Sequence, residues 1–166
     1  MHDLLLIRPL GNEAEARYCA GFLVASDPWV TLGLTFEQVL ERLTDPTREI
    51  HVAAVDKEIA GVLILFLDGV LKGYIQTIAV QPDWRSHGIG KRLMSFAEER
   101  IFRISPNVFL CVSSFNLDAQ KFYEQLGYQR VGELADFVTL GHSEILMRKT
   151  RGPLLGFKPA EEPASH

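Results

Sequence analysis

Positively charged and protonatable side chains surround two glycines near the middle of the chain. Arg85 and His87 precede the run Gly88-Ile89-Gly90, and Lys91 and Arg92 follow it. Glycine lets the atoms of a ligand touch the main chain, and the flanking cations attract negative charge. This spacing predicts an anion site, and specifically a cradle for a phosphate group. A plain helix cap is the alternative, but two glycines with flanking cations exceed what a cap requires.

The neighbouring residues place this cradle between a strand and a helix. Ile75 to Val80 is apolar and rich in β-branched residues, and Pro82-Asp83 ends that run. From Ile89 to Ile104 the apolar residues recur at helical spacing. The first N–H groups of a helix have no backbone partner and lie at the positive end of the helix dipole. The predicted phosphate site therefore lies at a helix N-terminus.

The spacing excludes two common phosphate loops. A Walker A loop would have glycine in place of Arg85 and serine or threonine in place of Arg92, and a dinucleotide fingerprint would have a third glycine near Leu93. The chain instead has Arg-x-x-Gly-x-Gly directly after a strand that ends Ile78-Ala79-Val80. Further on, residues 116 to 128 read Asn-Leu-Asp-Ala-Gln-Lys-Phe-Tyr-Glu-Gln-Leu-Gly-Tyr.

These two motifs together resemble those of the GNAT superfamily of N-acetyltransferases, over most of residues 4–149. The resemblance implies an α/β (α+β) fold, with a mixed, mostly antiparallel sheet flanked by helices and a V-shaped splay between the strands ending at Val80 and Val112. It implies acetyl-CoA as co-substrate and direct attack by a primary amine, either a protein or peptide N-terminus or a small-molecule amine. Residues 116–128, together with the strand that ends Ile78-Ala79-Val80, are also similar to the matching segments of the branch that acetylates protein N-termini, including ribosomal-protein alanine.

The resemblance also assigns roles around the cofactor. Tyr123 matches the tyrosine that protonates, or hydrogen-bonds to, the departing CoA thiolate. A phenol with an ordinary pKa near 10 keeps its proton at neutral pH, so it can donate; the alternative is that Tyr123 is a core aromatic. By the same resemblance, the predicted cofactor-binding residues are Ile78, Ala79, Val80, Arg85, Ser86, His87, Gly88, Ile89, Gly90, Lys91, Asn116 and Phe122.

An apolar segment, residues 28–34, joins the first two predicted helices. Loops are normally polar and solvated, so this one is expected to cover something. In the superfamily the matching segment helps to form the acceptor pocket, and the resemblance therefore places Trp29, Leu32 and Phe36 in its wall, with Gln76 beside them. The alternative is that Trp29 packs on the core.

The general base is where the sequence departs from the superfamily pattern. Many relatives place a glutamate where Gln76 or Cys111 stands, and neither of these is a good base. Deprotonating a lysine-like amine at pH 7 costs roughly 4–5 kcal/mol, whereas an α-amino group costs about 1 kcal/mol, which favours a weakly basic acceptor. Side chains that could instead act through a water are Glu37, His51, Asp136, His142 and Glu144. The missing acids also favour a rival function, a non-catalytic acyl-CoA-binding sensor or regulatory module.

Bulk properties bound the remaining functions. The chain has 166 residues, 47% of them hydrophobic, and a net charge of -4, which argues against a nucleic-acid-binding protein. Cys19 and Cys111 are far apart and suggest neither a disulfide framework nor a zinc site. His142 and Glu144 are too few for a metal site, so no metal is expected. We expect a cytoplasmic protein without membrane contact, a monomer or homodimer, acting on a small amine or peptide N-terminus.

The remaining elements follow from hydrophobic periodicity and turn residues. Thr35 and Gln38 have the spacing of a capping box that begins a second helix. Residues 1–149 are expected to form the acetyltransferase domain and residues 150–166 a C-terminal tail. Fraying of this tail is the expectation, and the alternative is that Leu154, Leu155 and Phe157 dock on the domain or on a partner. The predicted strands are residues 4–10, 49–55, 59–67, 75–80, 108–112, 128–134 and 145–149, and the predicted helices are residues 13–26, 35–45, 88–104 and 116–126.

Overall fold

A computed structural model describes residues 4–161 of the chain. Its centre is a seven-stranded sheet in the order β1-β2-β3-β4-β5-β7-β6. All neighbouring strands are antiparallel except β4 and β5. The strands are β1 (Leu5–Pro9), β2 (Glu49–Val55), β3 (Glu58–Phe66), β4 (Tyr74–Val80), β5 (Asn107–Ser113), β6 (Gln129–Ala135) and β7 (Ser143–Thr150).

Helices cover both faces of the sheet and create two separate cores. One core joins α1 and α3 to the sheet through residues such as Leu23, Leu43 and Val52, and the other joins α4 and α5 through Leu93 and Ile101. Burial of these apolar side chains is the main force that fixes the layers. The helices are α1 (Glu13–Val24), α2 (Trp29–Leu32), α3 (Phe36–Thr44), α4 (Ile89–Phe102) and α5 (Leu117–Gln125), with a 3₁₀ turn at Pro82–Trp84.

The one parallel pair of strands separates almost as soon as it forms. β4 and β5 are paired only through Tyr74 with Phe109 and Ile75 with Leu110. Beyond that point β4 stays paired with β3 as far as Val80, so its other edge has no strand partner. The fold predicted from the sequence, including the splay between the strands ending at Val80 and Val112, is confirmed.

The segment predicted as an apolar loop is partly helical. Residues 29–32 form the single turn α2, which ends at Gly33 in the left-handed conformation (φ 70°). The next helix begins as predicted: Thr35 accepts from the N–H of Gln38, and the Gln38 side chain accepts from the N–H of Thr35. Other boundaries shift by one or two residues: α1 ends at Val24 rather than Ser26, α4 ends at Phe102 rather than Ile104, and β7 begins at Ser143 rather than Ile145.

The chain after β7 contacts the domain. The N–H of Arg151 donates to the carbonyl of Pro106 at 2.8 Å, and the N–H of Ala160 donates to the carbonyl of Arg103 at 2.9 Å. The Arg151 guanidinium also lies 3.9 Å from the centre of the Phe102 ring. The last five residues of the predicted tail lie outside the described residues. Within residues 4–161, no helix has the length and apolar character needed to cross a membrane.

Candidate active site

A cleft of about 970 Å³ opens where β4 and β5 separate. It continues from Arg85, in the loop before α4, past α5, to the segments that follow α1 and precede β4. We call the part beside Ile78–Val80 and the start of α4 the cofactor side. We call the part bounded by α2, α3 and the start of β4 the acceptor side. Both sides belong to one continuous space, so a group bound at one side can react with a group bound at the other.

The start of α4 presents unpaired N–H groups. Gly88 is the N-cap in the left-handed conformation (φ 76°), and no side chain caps the helix. The first bond of the helix runs from the Arg92 N–H to the Gly88 carbonyl at 3.2 Å. The N–H groups of Ile89, Gly90 and Lys91 therefore have no acceptor inside the helix, which makes this end a site for an anion.

The loop before that helix supports its conformation. Ser86 is left-handed as well (φ 65°). The His87 ring donates through Nδ1 to the carbonyl of Arg85 at 2.8 Å, and this bond fixes the ring against the backbone of its own loop. Of the residues predicted to hold the cofactor, Arg85 lines the cleft itself, while residues 86–91 form the turn at its end.

Other predicted cofactor residues lie along the cleft walls. Ile78, Ala79 and Val80 line it from the open edge of β4. Asn116 lines it from the start of α5, where its side chain accepts from the N–H of Ala119 at 3.2 Å as an N-cap. Phe122 does not line the cleft; its ring lies 3.5 Å from where a Cβ on Gly90 would stand, so it packs beneath the turn.

Tyr123 lines the cleft although little of it is exposed. Its side chain is 8% exposed and belongs to both the core and the cleft wall. Burial raises the pKa of the Tyr123 phenol, and no charged group within residues 4–161 offsets that rise. The phenol therefore keeps its proton across the physiological pH range. The two readings of the sequence, core aromatic and cofactor-facing hydroxyl, are compatible in this position.

A hydrogen-bonded cluster lies behind Tyr123. The Tyr128 ring meets the Tyr123 ring edge-on, with centres 6.0 Å apart. The Tyr128 hydroxyl donates to Glu98 at 3.1 Å, and Lys149 pairs with the other oxygen of Glu98 at 2.9 Å. These contacts fix the Tyr128 ring, and the Tyr128 ring limits the positions open to Tyr123.

The acceptor side receives two of the three predicted wall residues. Trp29 and Leu32, both on α2, line the cleft. Phe36 does not line it: it packs with the α1 and α3 core, and the Arg17 guanidinium lies 6.0 Å from its ring centre. Helical geometry explains the difference, because Phe36 is the first residue of α3 and its side chain turns towards α1.

Gln76 enters the cleft through a β-bulge. The pairing of β3 with β4 shifts register at this point, since Ile64 pairs with Thr77 and Leu65 pairs with Ile75. Gln76 is the extra residue, and bulges commonly redirect side chains next to functional sites. The side-chain amide oxygen of Gln76 accepts from Nε of Arg48 at 2.8 Å. The bulge and this bond hold Gln76 as a fixed polar group of the cleft.

Among the acid–base candidates named from the sequence, Glu144 alone lines the cleft. It is 5% exposed and accepts from the Ser113 hydroxyl at 2.7 Å. Burial raises the pKa of Glu144 above the usual glutamate range. His51 instead packs on Phe96, with ring centres 4.6 Å apart. Cys111 lies beside Tyr74, and burial raises the pKa of its thiol, so it stays protonated.

The family model described as "Acetyltransferase (GNAT) family" matches residues 17–128, more than half of the chain. The chain belongs to the GNAT family. An uncharacterized N-acetyltransferase of Methanocaldococcus jannaschii is 31% identical over 111 residues, which are 63% of this chain and 70% of that protein. The family resemblance drawn from the two motifs is confirmed.

Two solved structures show the same fold at low sequence identity. An aminoglycoside 6′-N-acetyltransferase complexed with coenzyme A has a TM-score of 0.70 at 20% identity, and the match covers 89% of this chain and 98% of that one. Spermidine N-acetyltransferase from Vibrio cholerae, in complex with CoA and spermine, has a TM-score of 0.67 at 17% identity, covering 89% and 95%.

Acetyl-CoA is the co-substrate of the GNAT family, and the cofactor side of this member fits it. An anionic pyrophosphate matches the three unpaired N–H groups at the start of α4. A long pantetheine chain matches the open edge of β4, whose residues beyond Ile75 have no partner in β5. Within residues 4–161, no group of three or more histidine, cysteine, aspartate or glutamate side chains is placed to hold a metal ion.

Sequence reasoning missed Arg42, which lines the acceptor side of this GNAT protein together with Tyr74. Arg42 lies in the last turn of α3 and reads as an ordinary surface cation. What identifies it is its position in the wall that α3 shares with the start of β4, which the sequence does not show.

Proposed function

We propose that this protein transfers the acetyl group of acetyl-CoA to a primary amine by direct attack. The observation that carries the proposal is the continuity of the cleft. A single space of about 970 Å³ joins the open edge of β4 to a buried carboxylate, Glu144, and a buried phenol, Tyr123. Direct transfer needs the amine and the thioester in one cavity, with a proton acceptor and a proton donor in its walls.

Glu144 is the proposed proton acceptor, directly or through one water. The acceptor amine must lose a proton before its nitrogen can attack the thioester carbonyl. A carboxylate whose pKa is raised by burial is a better base than an exposed one. The bond from Ser113 orients the carboxylate without occupying both of its oxygens. Glu144 would therefore supply the base that Gln76 and Cys111 do not.

Tyr123 is the proposed proton donor. When the N–C bond forms and the C–S bond breaks, negative charge develops on sulfur. A donor in the same poorly solvated space stabilises that charge and can pass its proton to the thiolate. Burial raises the pKa of Tyr123, so the phenol keeps its proton until charge develops on sulfur, and the same burial would raise the pKa of the departing thiol and favour its protonation.

Thiol release from acetyl-CoA tests this function when run against a panel of primary amines and short peptides with free N-termini. Calorimetric titration with CoA is carried out beside it. Binding of CoA together with amine-dependent release is the expected result. Binding without release across the panel would instead favour the non-catalytic acyl-CoA sensor.

A further inference from the structure

Arg42 is an unpaired cation in the wall of the acceptor side. It lies in the last turn of α3 and lines the cleft. Neither a hydrogen bond nor an ion pair links its guanidinium to any of residues 4–161. Burial lowers the pKa of Arg42, so the protein holds this charge partly away from water without compensating it. An uncompensated charge of this kind costs free energy unless a ligand supplies the opposite charge.

The other half-buried arginines show how unusual this is. Four arginines of the described residues are half-buried, namely Arg8, Arg42, Arg48 and Arg100. Arg8 pairs with Glu15 at 2.7 Å, Arg48 with Asp45 at 3.6 Å and Arg100 with Glu49 at 3.0 Å. Only Arg42 has no carboxylate partner, and it is the one arginine of the four that lines the cleft.

The nearby acidic side chains do not fill this role. Asp27 lines the cleft but accepts from the N–H and hydroxyl of Thr31, at 3.1 and 2.6 Å. Glu41 is exposed to solvent. Glu144 accepts from the Ser113 hydroxyl and forms no bond to Arg42. The Tyr74 phenol is close enough to feel both the Arg42 charge and the Glu144 charge. Opposite charges thus lie near Tyr74 in the wall of the cleft.

We propose that Arg42 binds the carboxylate of the acceptor, so that the acetylated amine is carried by an amino acid or a similarly small amino carboxylate. The proposal rests on the proposed function, because it specifies the acceptor of that reaction. In this arrangement the amine lies towards Glu144 and the carboxylate towards Arg42, with Tyr74 near both. Since one phenol feels both charges, the two ends of the acceptor are a short distance apart.

A carboxylate fits this site better than a phosphate does. The guanidinium fork of a single arginine matches the two oxygens of a carboxylate in a bidentate pair. A phosphate dianion carries more charge and would call for a second cation. The neighbouring Arg48 is already engaged, because it pairs with Asp45 at 3.6 Å and bonds to Gln76. Its guanidinium also lies 3.9 Å from the Phe66 ring centre.

The test compares acceptors with and without a carboxylate in two versions of the protein. Glycine, β-alanine, 4-aminobutyrate and 6-aminohexanoate first establish the preferred spacing of amine and carboxylate. The best of them is then compared with its primary amide, in the wild-type protein and in Arg42→Met. Taking the ratio of ratios cancels the different basicities of the two amines. O-phosphoethanolamine and ethanolamine form a parallel pair for phosphate.

We expect the preference for the acid over the amide, in kcat/KM, to fall by about 10- to 100-fold in Arg42→Met, as for a lost charge-assisted pair. Arg130→Met is the matched control, because Arg130 is exposed on β6 and does not line the cleft. It should keep the wild-type preference. CoA affinity should be unchanged in both variants, which shows that the fold is intact.

Three results would overturn the inference. These are an unchanged preference in Arg42→Met, a loss of preference in Arg130→Met as well, and a stronger preference for the phosphate pair than for the carboxylate pair. Binding of the same acceptors to the CoA complex, measured by calorimetry, separates this inference from the proposed function. Arg42-dependent binding without turnover would reject the transferase and keep the carboxylate site, whereas neither binding nor turnover would reject both.

Discussion

The two sides of the cleft are built from different parts of the protein. The cofactor side uses mainly backbone: the open edge of β4 and the N–H groups at the start of α4. Its residues come from one stretch, 78–91, with Asn116 and Tyr123 added from α5. The acceptor side uses side chains, including Trp29, Arg42 and Glu144, which come from elements far apart in the sequence.

This difference separates what the family shares from what each member recognises. A backbone site tolerates many side chains, so different sequences can hold the same co-substrate at the same place. A side-chain site changes with single substitutions, so the acceptor can differ between proteins of one fold. Substitutions on the cofactor side should therefore change CoA affinity, and substitutions on the acceptor side should change acceptor kinetics.

Tyr123→Phe, where the two sides meet, should have the largest effect. Loss of a general acid typically costs between a hundredfold and ten-thousandfold, and we expect about a 10³-fold fall in kcat. The CoA dissociation constant should change little, because the ring remains in the core. Steady-state kinetics and calorimetry measure the two quantities. A kcat within threefold of wild type would remove Tyr123 from the mechanism and return it to the role of a core aromatic.

Glu144→Gln should act on the acceptor side alone. We expect kcat/KM for the amine to fall about 100-fold. This is the low end of the effect typical of a general base, because water can take the proton from the amine when the carboxylate is absent. The pKa of Glu144 is raised by burial, so wild-type kcat/KM should fall as pH drops through that raised value, above the usual glutamate range. The variant should lose this contribution and keep only the acidic limb set by the pKa of the acceptor amine itself; an unchanged pH profile would identify another base.

The same substitution should raise thermal stability at neutral pH. A carboxyl whose folded-state pKa is raised contributes most stability below its unfolded pKa and loses it as pH rises through the folded value. Glutamine avoids that loss and can keep the bond from Ser113. The melting temperature of Glu144→Gln should exceed that of the wild type at pH 7, and the difference should vanish at acidic pH. Equal melting temperatures at pH 7 would argue against a strained carboxylate.

Gly88→Ala and Gly33→Ala form a matched pair for the two sides. Both glycines are left-handed, with φ of 76° and 70°, and neither has an atom within 4 Å of an added Cβ. Each alanine therefore costs about 1–2 kcal/mol of backbone strain and little else. We expect CoA affinity to be about tenfold weaker in Gly88→Ala, because relief of the strain moves the N–H groups of α4. CoA affinity should not change in Gly33→Ala. Equal effects on CoA would show that overall stability, not local geometry, controls binding.

Cys111→Ser should have the smallest effect, less than about threefold in kcat. Burial raises the pKa of the Cys111 thiol, so little thiolate exists at neutral pH, and direct transfer needs no covalent intermediate. The serine keeps a polar group beside Tyr74. A loss comparable to that of Tyr123→Phe, together with ping-pong kinetics, would show that the thiol acts as a nucleophile.

Much of the fold was predictable because its local signals are strong. Alternating and helical periodicities located the seven strands, and Thr35 with Gln38 located the start of α3. The turn α2 was not predicted, since a four-residue helix has too few residues to show a period. The position of Phe36 was not predicted either, because its side chain direction depends on how α3 packs against α1.

The sequence by itself determined the family and the architecture of the cofactor side. Those features depend on residues close together in the chain, such as Gly88 and Gly90, whose conformations are largely local. The tertiary structure decided the acceptor side. Only folding brings Arg42 from α3, Tyr74 from β4 and Glu144 from β7 into the wall of one cleft. Burial in the folded protein raises the pKa of Glu144, and the packing of α3 leaves Arg42 without a carboxylate partner among residues 4–161.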